Sequence, residues 1–432
     1  MNLIPSGWTN DRLKDVSAIN ASSLPANTNA DYEFDYLEIS NVNYFGVVDS
    51  EQIERLRYED APSRARRRIA PNSTIISSVR PNLQAVAFIP DAGADLVCST
   101  GFNVVQPHET RLLPRFSYFA LISESARQYF EAAATGVGYP AVGDKEFNSF
   151  PLPLPPLPEQ QRIAAYLDAS CAAIDAAVAA KRHQLETLDS LSKSIIHRAV
   201  TKGLNPGAPR RPSEVTWFDE IPWHWRCEHL KRFTTRIQAG MTPPTNTPEY
   251  YEDGTIPWFA PGSFEGDLDL TKPRKLINEL ARNDGELRMF PAGTVFLVGI
   301  GTVGKIGLVS VEASCNQQLV GIVCGHRMHA RYLAYQFKIY EDVIPGIATA
   351  TTLPIFDQVK TGYLRTLQPP REEQQAICDF LDAKLAELKQ IVAGIQTQIA
   401  TLTAYRKSLI HECVTGQRRV TEADINRIKP HG

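Results

Sequence analysis

The sequence has no Cys-x-x-Cys pair. Its seven cysteines stand at 98, 171, 227, 315, 324, 378 and 413, a spacing that points to reduced, structural thiols rather than to a zinc or redox motif. No apolar run approaches membrane-spanning length, and the N-terminus lacks a basic-then-apolar leader. Neither a span nor secretion is therefore expected, and the chain reads as cytoplasmic. A G-x-x-x-x-G-K-[ST] loop is missing, which excludes a P-loop ATPase. Also missing are the Asn-Pro-Pro-aromatic tetrapeptide that amino-methyltransferases use and any convincing nucleophile–base pair. Positive charge is not in excess: 45 Lys+Arg face 48 Asp+Glu, for a net charge of −3. Any surface for nucleic acid must therefore be local.

Two apparent motifs fall short of their chemistry. Gly299-Ile300-Gly301-Thr302-Val303-Gly304 follows a strand-like run and fits G-x-G-x-x-G. A dinucleotide site also needs a helix to start there. The β-branched stretch Lys305–Val311 reads instead as the second strand of a hairpin. His326-Arg327-Met328-His329 lacks further ligands for zinc and reads as solvated histidines.

What the chain does contain is a long stretch that occurs twice. Residues 159–201 open Glu-Gln-Gln and close Ser-Ile-Ile-His-Arg-Ala-Val-Thr, while 373–415 open Glu-Gln-Gln and close Ser-Leu-Ile-His-Glu-Cys-Val-Thr. The offset is 214 at both ends, so the copies align without a gap. Repetition at this scale sets the architecture. Leu167/Leu381, Asp168/Asp382, Val178/Val392, Gln184/Gln398, Leu188/Leu402 and Lys193/Lys407 also match. Each copy follows prolines and carries acid in its first turn, the start of a helix.

In the second copy Leu381, Leu388, Ile395, Leu402 and Leu409 recur every seven residues, and Leu385, Val392 and Ile399 interleave with them to form a heptad seam. The first copy keeps Leu167, Ile174, Leu188 and Ile195 in one row and Val178 and Leu185 in the other, interrupted by Lys181 and Ser192. At 1.5 Å per residue each helix spans roughly 65 Å. One apolar stripe of that length must be buried, and the other copy is the obvious partner.

The segments before the helices repeat as well. Ile4-Pro5-Ser6-Gly7-Trp8 with Leu13-Lys14 answers Ile221-Pro222-Trp223-His224-Trp225 with Leu230-Lys231. Apolar runs at 74–79, 85–89 and 103–105 predict strands, and 118–134 predicts a helix packed on them. In the second half 294–298, 305–311 and 318–323 predict strands, and 331–340 a helix. Trp258-Phe259 and Trp223/Trp225 read as core. Gly203–Pro209 is a linker by composition, and 417–432 shows no clear pattern. The domains are set at 1–157, 158–203 (first helix), 204–370, 371–416 (second helix) and 417–432 (tail).

Basic residues are densest at Arg64, Arg66, Arg67 and Arg68, just before a strand and near Arg80, a pattern suited to phosphate contact. In the second half Arg274, Lys275, Arg282, Arg288 and Lys305 are scattered, and Lys305 is placed to face a phosphate.

Two globular domains, each followed by a proline-rich Leu-Pro or Pro-Pro stretch, Glu-Gln-Gln and a long helix ending Ser-x-Ile-His, resemble the specificity subunit of Type I restriction–modification systems. The matching stretches are Leu152–Gln161 and Leu367–Gln375. The Ile-Pro-x-x-Trp openings, Ser99-Thr100-Gly101-Phe102 and Cys315-Asn316-Gln317-Gln318 are also similar to segments of that family. The resemblance implies an α+β fold with two mixed α/β target-recognition domains in tandem. Their long helices would pair as an antiparallel coiled coil with internal pseudo-two-fold symmetry. It implies a non-catalytic subunit that reads a bipartite asymmetric DNA target, one half per domain. Modification subunits, two by expectation, would dock on the coil and use S-adenosylmethionine, and restriction/translocase subunits would use ATP and Mg. The chain itself would bind none of these and no metal. Candidates for DNA contact are Arg64, Arg66, Arg67, Arg68, Arg80, Asn82, Arg274, Lys275 and Lys305. Two other readings are a fused restriction–methylation enzyme, for which the chain is too short, and a coiled-coil spacer between two protein-binding domains.

Overall fold

The computed structural model describes residues 5–428 except 43–45, 47, 81–84, 94, 137, 139, 214, 216–217 and 349–353. The chain forms two compact units, Met1–Arg182 with Gln396–Gly432, and His183–Ile395.

The core sheet of the first unit runs in the order Ser17–Ile19, Phe102–Pro107, Ser73–Ser77, Val86–Ile89, antiparallel throughout. Its strands are apolar on both faces because both faces are covered. Ile76, Val86 and Val105 join Phe116 and Phe119 of helix Pro114–Leu121 in one core. Ile75, Ala87 and Val104 join Leu37 and Cys98 in another. The latter pair belongs to a second sheet, ordered Glu54–Arg57, Glu33–Leu37, Leu96–Ser99, Ala65–Arg68, with its two central strands parallel. Strand Thr9–Arg12 pairs with Pro151–Leu154. The expected single helix over 118–134 is two, Pro114–Leu121 and Glu124–Ala133. Ile122 ends the first and Ser123 caps the second, its hydroxyl accepting from Ala126 N at 3.3 Å.

The second unit repeats this plan. Its core sheet runs Thr234–Ala239, Leu319–Cys324, Val295–Val298, Ile306–Leu308. The other sheet runs Lys275–Ile277, Ile256–Phe259, Ala313–Cys315, Met289–Phe290, again with a parallel central pair. Arg226–His229 pairs with Arg365–Gln368, and helix Ala330–Tyr340 covers the core sheet. Residues 299–304 turn the expected hairpin, with Val295 opposite Leu308. Trp225, Trp258 and Phe259 are core, whereas Trp223 is 68% exposed. His326 is exposed but His329 is not solvated as expected: its Nδ1 lies 3.7 Å from Cys378 Sγ, and burial lowers its pKa.

The long helices are Leu157–Lys202, 46 residues, and Arg371–Val414, 44 residues. Pro158 is tolerated because the first turn needs no N–H there. Each helix is followed by a left-handed glycine, Gly203 (φ 71°) and Gly416 (φ 76°), which ends it at no steric cost. In the first unit Ile163, Leu167, Ile174 and Val178 share a core with Leu409, Ile410, Cys413 and Val414. There the start of one helix meets the end of the other. In the second unit Ile196, Ala199 and Val200 meet Ile377, Cys378 and Leu381. Both pairings are antiparallel.

All fourteen apolar residues assigned to the seam are at least partly buried. Cys171 and Cys413 fill further seam positions, and burial pushes their thiols up to about 11 and about 12. Lys181 and Ser192 occupy seam positions as well and are partly buried. The first helix contains an 18-residue window apolar enough by length and composition to cross a membrane. Its aspartates qualify that: Asp168 pairs with Arg115, and Asp175 pairs with Arg406 at 3.0 Å.

Both helices begin with the same joint to their domain. Trp8 donates its indole N–H to Glu159 at 3.1 Å, and Trp225 donates to Glu373 at 3.0 Å. Buried Gln160 accepts from Leu113 N at 2.8 Å and donates to Arg111 O at 2.8 Å and Pro155 O at 2.9 Å. Gln374 repeats this with His329 N at 2.7 Å, Arg327 O at 2.9 Å and Pro369 O at 2.8 Å. Two turns on, Asp168 pairs with Arg115 and Asp382 with Arg331. The tail, patternless in sequence, packs on the first unit. Arg419 reaches Glu159 at 3.0 Å, Arg418 reaches the Tyr166 hydroxyl at 2.7 Å, and Val420 is buried.

Candidate nucleic-acid interface

The arginine cluster precedes the strand Ser73–Ser77 as expected, but Arg66, Arg67 and Arg68 also lie in a strand of their own, with Arg64 just before it. Ala65–Arg68 forms the edge of the second sheet in the first domain, with an irregularity between Ala65 and Arg67. A bulge of this kind re-aims side chains, and the four arginines diverge. Arg64 is exposed and pairs with Glu38 at 2.5 Å. The Arg66 guanidinium lies 4.6 Å from the Tyr58 ring centroid, and that of Arg68 5.6 Å from the Tyr32 ring. Arg67 turns inward and donates to Phe102 O and to Asn103 Oδ1, the latter at 2.9 Å. Burial lowers its pKa, the mark of a charge held away from water. Nη1 of Arg67, the residue expected to contact phosphate, thus serves groups of its own domain.

The opposite edge strand, Glu54–Arg57, is basic and self-neutralised. Arg55 pairs with Glu33 at 3.2 Å and Asp35 at 3.1 Å; Arg57 pairs with Asp31 and Glu59, both at 3.2 Å. Arg55 and Arg57 are thus nearly balanced, because acids come from the neighbouring strand and the adjoining turns. Sequence spacing alone gave no signal of it.

Arg80 lies elsewhere, exposed in the turn between Ser73–Ser77 and Val86–Ile89. Asn82 lies outside the described residues. Lys305 is exposed at the end of the turn between Val295–Val298 and Ile306–Leu308. Since the two core sheets have the same strand order, these turns are equivalent. Arg80 and Lys305 thus lie in equivalent turns but not at equivalent positions: the bond of Arg80 N to Pro140 O is matched by that of Gly301 N to Pro354 O, so Gly301 stands where Arg80 does. Arg274 and Lys275 are exposed at the edge strand Lys275–Ile277, and Lys275 Nζ sits 4.3 Å from the Tyr251 ring centroid. Arg282 pairs with Glu312 at 3.4 Å, and Arg288 donates to Ala239 O. Arg288 is only partly exposed and spends a donor on that carbonyl, whereas the Arg282 pair is exposed.

These placements separate two kinds of arginine by experiment. Arg67→Ala is expected to destabilise by about 1–3 kcal/mol, since it takes a donor from the buried Phe102 carbonyl and leaves Asn103 Oδ1 with Asn20 alone. Arg64→Ala is expected to cost under about 1 kcal/mol, as exposed ion pairs do. If Arg64, Arg66 and Arg68 meet phosphates, each Ala substitution flattens the salt dependence of DNA binding by roughly 0.9 in log–log slope. Urea midpoints equal for Arg67→Ala and Arg64→Ala would reverse the assignment of Arg67.

A family model described as the Type I restriction modification DNA specificity domain matches residues 5–187 and 234–401. Among curated relatives, the MjaIX Type I restriction enzyme specificity subunit of Methanocaldococcus jannaschii is 21% identical over 434 residues, covering 97% of this chain and 95% of its own. The HindI specificity subunit of Haemophilus influenzae is 20% identical over 395 residues, covering 77% and 83%. Among solved structures, a chain from a study of the assembly and conformational transition of a Type I system superposes with a TM-score of 0.79 at 23% identity, over 97% of this chain and 100% of that one. The HsdS subunit of Thermoanaerobacter tengcongensis gives 0.55 at 23% identity, over 96% and 98%.

Proposed function

The chain belongs to the Type I restriction–modification DNA specificity family, and we propose that it is the DNA-reading subunit of such a complex, without catalysis of its own. Each domain reads one half of a bipartite asymmetric target in double-stranded DNA. The paired helices set the spacer and dock modification subunits, two of them by the repeat, and restriction/translocase subunits join where the system has them. S-adenosylmethionine, ATP and Mg belong to those partners, and the assembly works in the cytoplasm. The observation that carries this reading is the twofold use of one plan: two sheets in the same strand order and the same Trp–Glu and glutamine joint to a long helix, in each unit.

Purified chain is expected to transfer no methyl group from S-adenosylmethionine and to cut no DNA with ATP. The motifs for either reaction are missing from its sequence. With modification subunits added, a gel shift at stated salt should show a bipartite target bound, and sequencing of methylated adenines should give its two halves. Activity in the chain alone that disappears on mutating its own residues would overturn the division of labour. A complex that ignores DNA would favour a spacer between protein-binding domains.

A further inference from the structure

The glycines of the G-x-G-x-x-G stretch let the core-sheet hairpin of the second domain be clamped from two sides. A Cβ on Gly299 would lie 2.6 Å from Phe356 O, and one on Gly304, where φ is 99°, 3.1 Å from Glu341 O. Glycine is therefore needed at both. One clamp is a strap: Phe356 N donates to Gly299 O at 2.7 Å and Gly301 N to Pro354 O at 3.2 Å, with Ile300 bridged to Ile355. The first domain straps its hairpin alike, with Val142 N donating to Ser78 O at 2.9 Å, Arg80 N to Pro140 O at 2.7 Å, and Val79 bridged to Ala141. The other clamp is Glu341, just after helix Ala330–Tyr340, whose Oε1 accepts from Ile306 N at 3.3 Å.

Lys305 stands between Gly304 and Ile306, both fixed by Glu341. Ile306 is buried and Lys305 is exposed. The Glu341 carboxylate does not draw it in, because the same Oε1 also accepts from Lys338 Nζ at 2.8 Å. Among the described residues the Lys305 ammonium makes no hydrogen bond, ion pair or ring contact. The other cations singled out in this domain differ: Lys275 lies against Tyr251, Arg282 against Glu312, and Arg288 serves Ala239 O. Arg274 is unpartnered too, but it borders the edge strand of the other sheet, whose first-domain equivalent carries arginines already paired with acids. The equivalent turn of the first domain also bears a cation, Arg80, one strap position away from where a strict repeat would place it. A base edge would demand one position, whereas a phosphate accepts any charge that a long side chain brings near. A lysine binds phosphate as such a point charge, and a turn already fixed adds no ordering cost beyond the side chain's own.

We propose that Lys305 holds a backbone phosphate of the second half-site, so that the clamped turn 299–305 positions the second domain on the DNA. This deepens the DNA-reading assignment above and rests on it. The test assembles the full chain with modification subunits and titrates target duplex over a range of salt, with thermal unfolding alongside. Lys305→Gln is expected to keep the parent Tm and to lose roughly 0.9 from the log–log salt slope, which is about 5-fold weaker binding at about 0.15 M salt and no loss near 1 M. The loss should be the same for duplexes changed at any one base pair, since a phosphate carries no sequence. Lys305→Arg should keep the slope. Lys272→Gln, at an exposed lysine of the same domain held by Glu265 at 2.8 Å, should change neither slope nor Tm. An unchanged slope in Lys305→Gln, or an equal fall in Lys272→Gln, overturns the assignment. So does weaker binding that tracks a fall in Tm, lost discrimination at a single base pair, or a Lys305→Gln chain that no longer assembles with modification subunits. A parent complex that binds no duplex overturns the DNA reading itself, and the assignment of Lys305 with it.

Discussion

Gln160→Glu is expected to lower stability at pH 8 by about 3 kcal/mol or more, and by less at pH 5. Gln160 is fully buried and makes three hydrogen bonds, accepting one and donating two. A carboxylate of the same shape can still accept from Leu113 N. It faces the carbonyls of Arg111 and Pro155 with no proton to offer, and each stranded buried group costs roughly 1–3 kcal/mol. Protonation restores one of the two donors, so burial and the facing carbonyls must raise the folded-state pKa above the unfolded value near 4.3. A raised pKa means that stability present at low pH is lost as pH rises through the folded value, by up to about 1.4 kcal/mol per unit. Gln374→Glu should behave alike, and the two losses should add, since the residues share no partner. Gln161 and Gln375 are exposed, so their substitution should stay within about 0.5 kcal/mol. Urea midpoints at the two pH values check this, and equal effects at 160 and 161 would sink it.

That contrast shows what the sequence could and could not tell. Glu-Gln-Gln stood out because it occurs twice at one offset, yet nothing local says which glutamine is clamped. The partners at 111, 113 and 155 are loop backbone, which carries no residue signature. The seam was legible because a heptad repeat is a local property of one strand of text. Cys171 escaped it by being read as a cysteine rather than as a small apolar residue. The core strands near 75, 88, 104, 296 and 321 were legible because both of their faces are buried. The surroundings of the arginine strand were hidden for the opposite reason. Its meaning depends on Glu38, Tyr58, Tyr32 and Asn103, which other strands deliver. Nor could the equivalence of Arg80 with Gly301 be read, since strap and hairpin share only a proline at the crossing. Periodic packing is written locally; charge and hydrogen bonding across the sheet are not.

The helices themselves set up the second large effect. Each long helix passes from one unit into the other, at residues 182–183 and 395–396. The first helix starts where the second ends within one unit, and ends where the second starts within the other. On the proposed function, helix length then acts as a ruler for the unread spacer between half-sites. One added heptad lengthens a helix by about 10.5 Å and returns every seam residue to its face. Base pairs are spaced by about 3.4 Å, so the spacer should grow by roughly three base pairs. The insertions belong after Lys181 and after Ile395, equivalent positions in the repeat beside the unit boundaries. Both half-site sequences should stay as they were, because neither domain is altered. A heptad added to one helix only leaves seven residues without partners, forcing a loop-out or a slip of the seam, and should cost folding. Mapping methylated adenines with the paired-insertion variant reads the spacer directly. An unchanged spacer would remove the ruler, and altered half-sites would show that the coil itself takes part in reading bases.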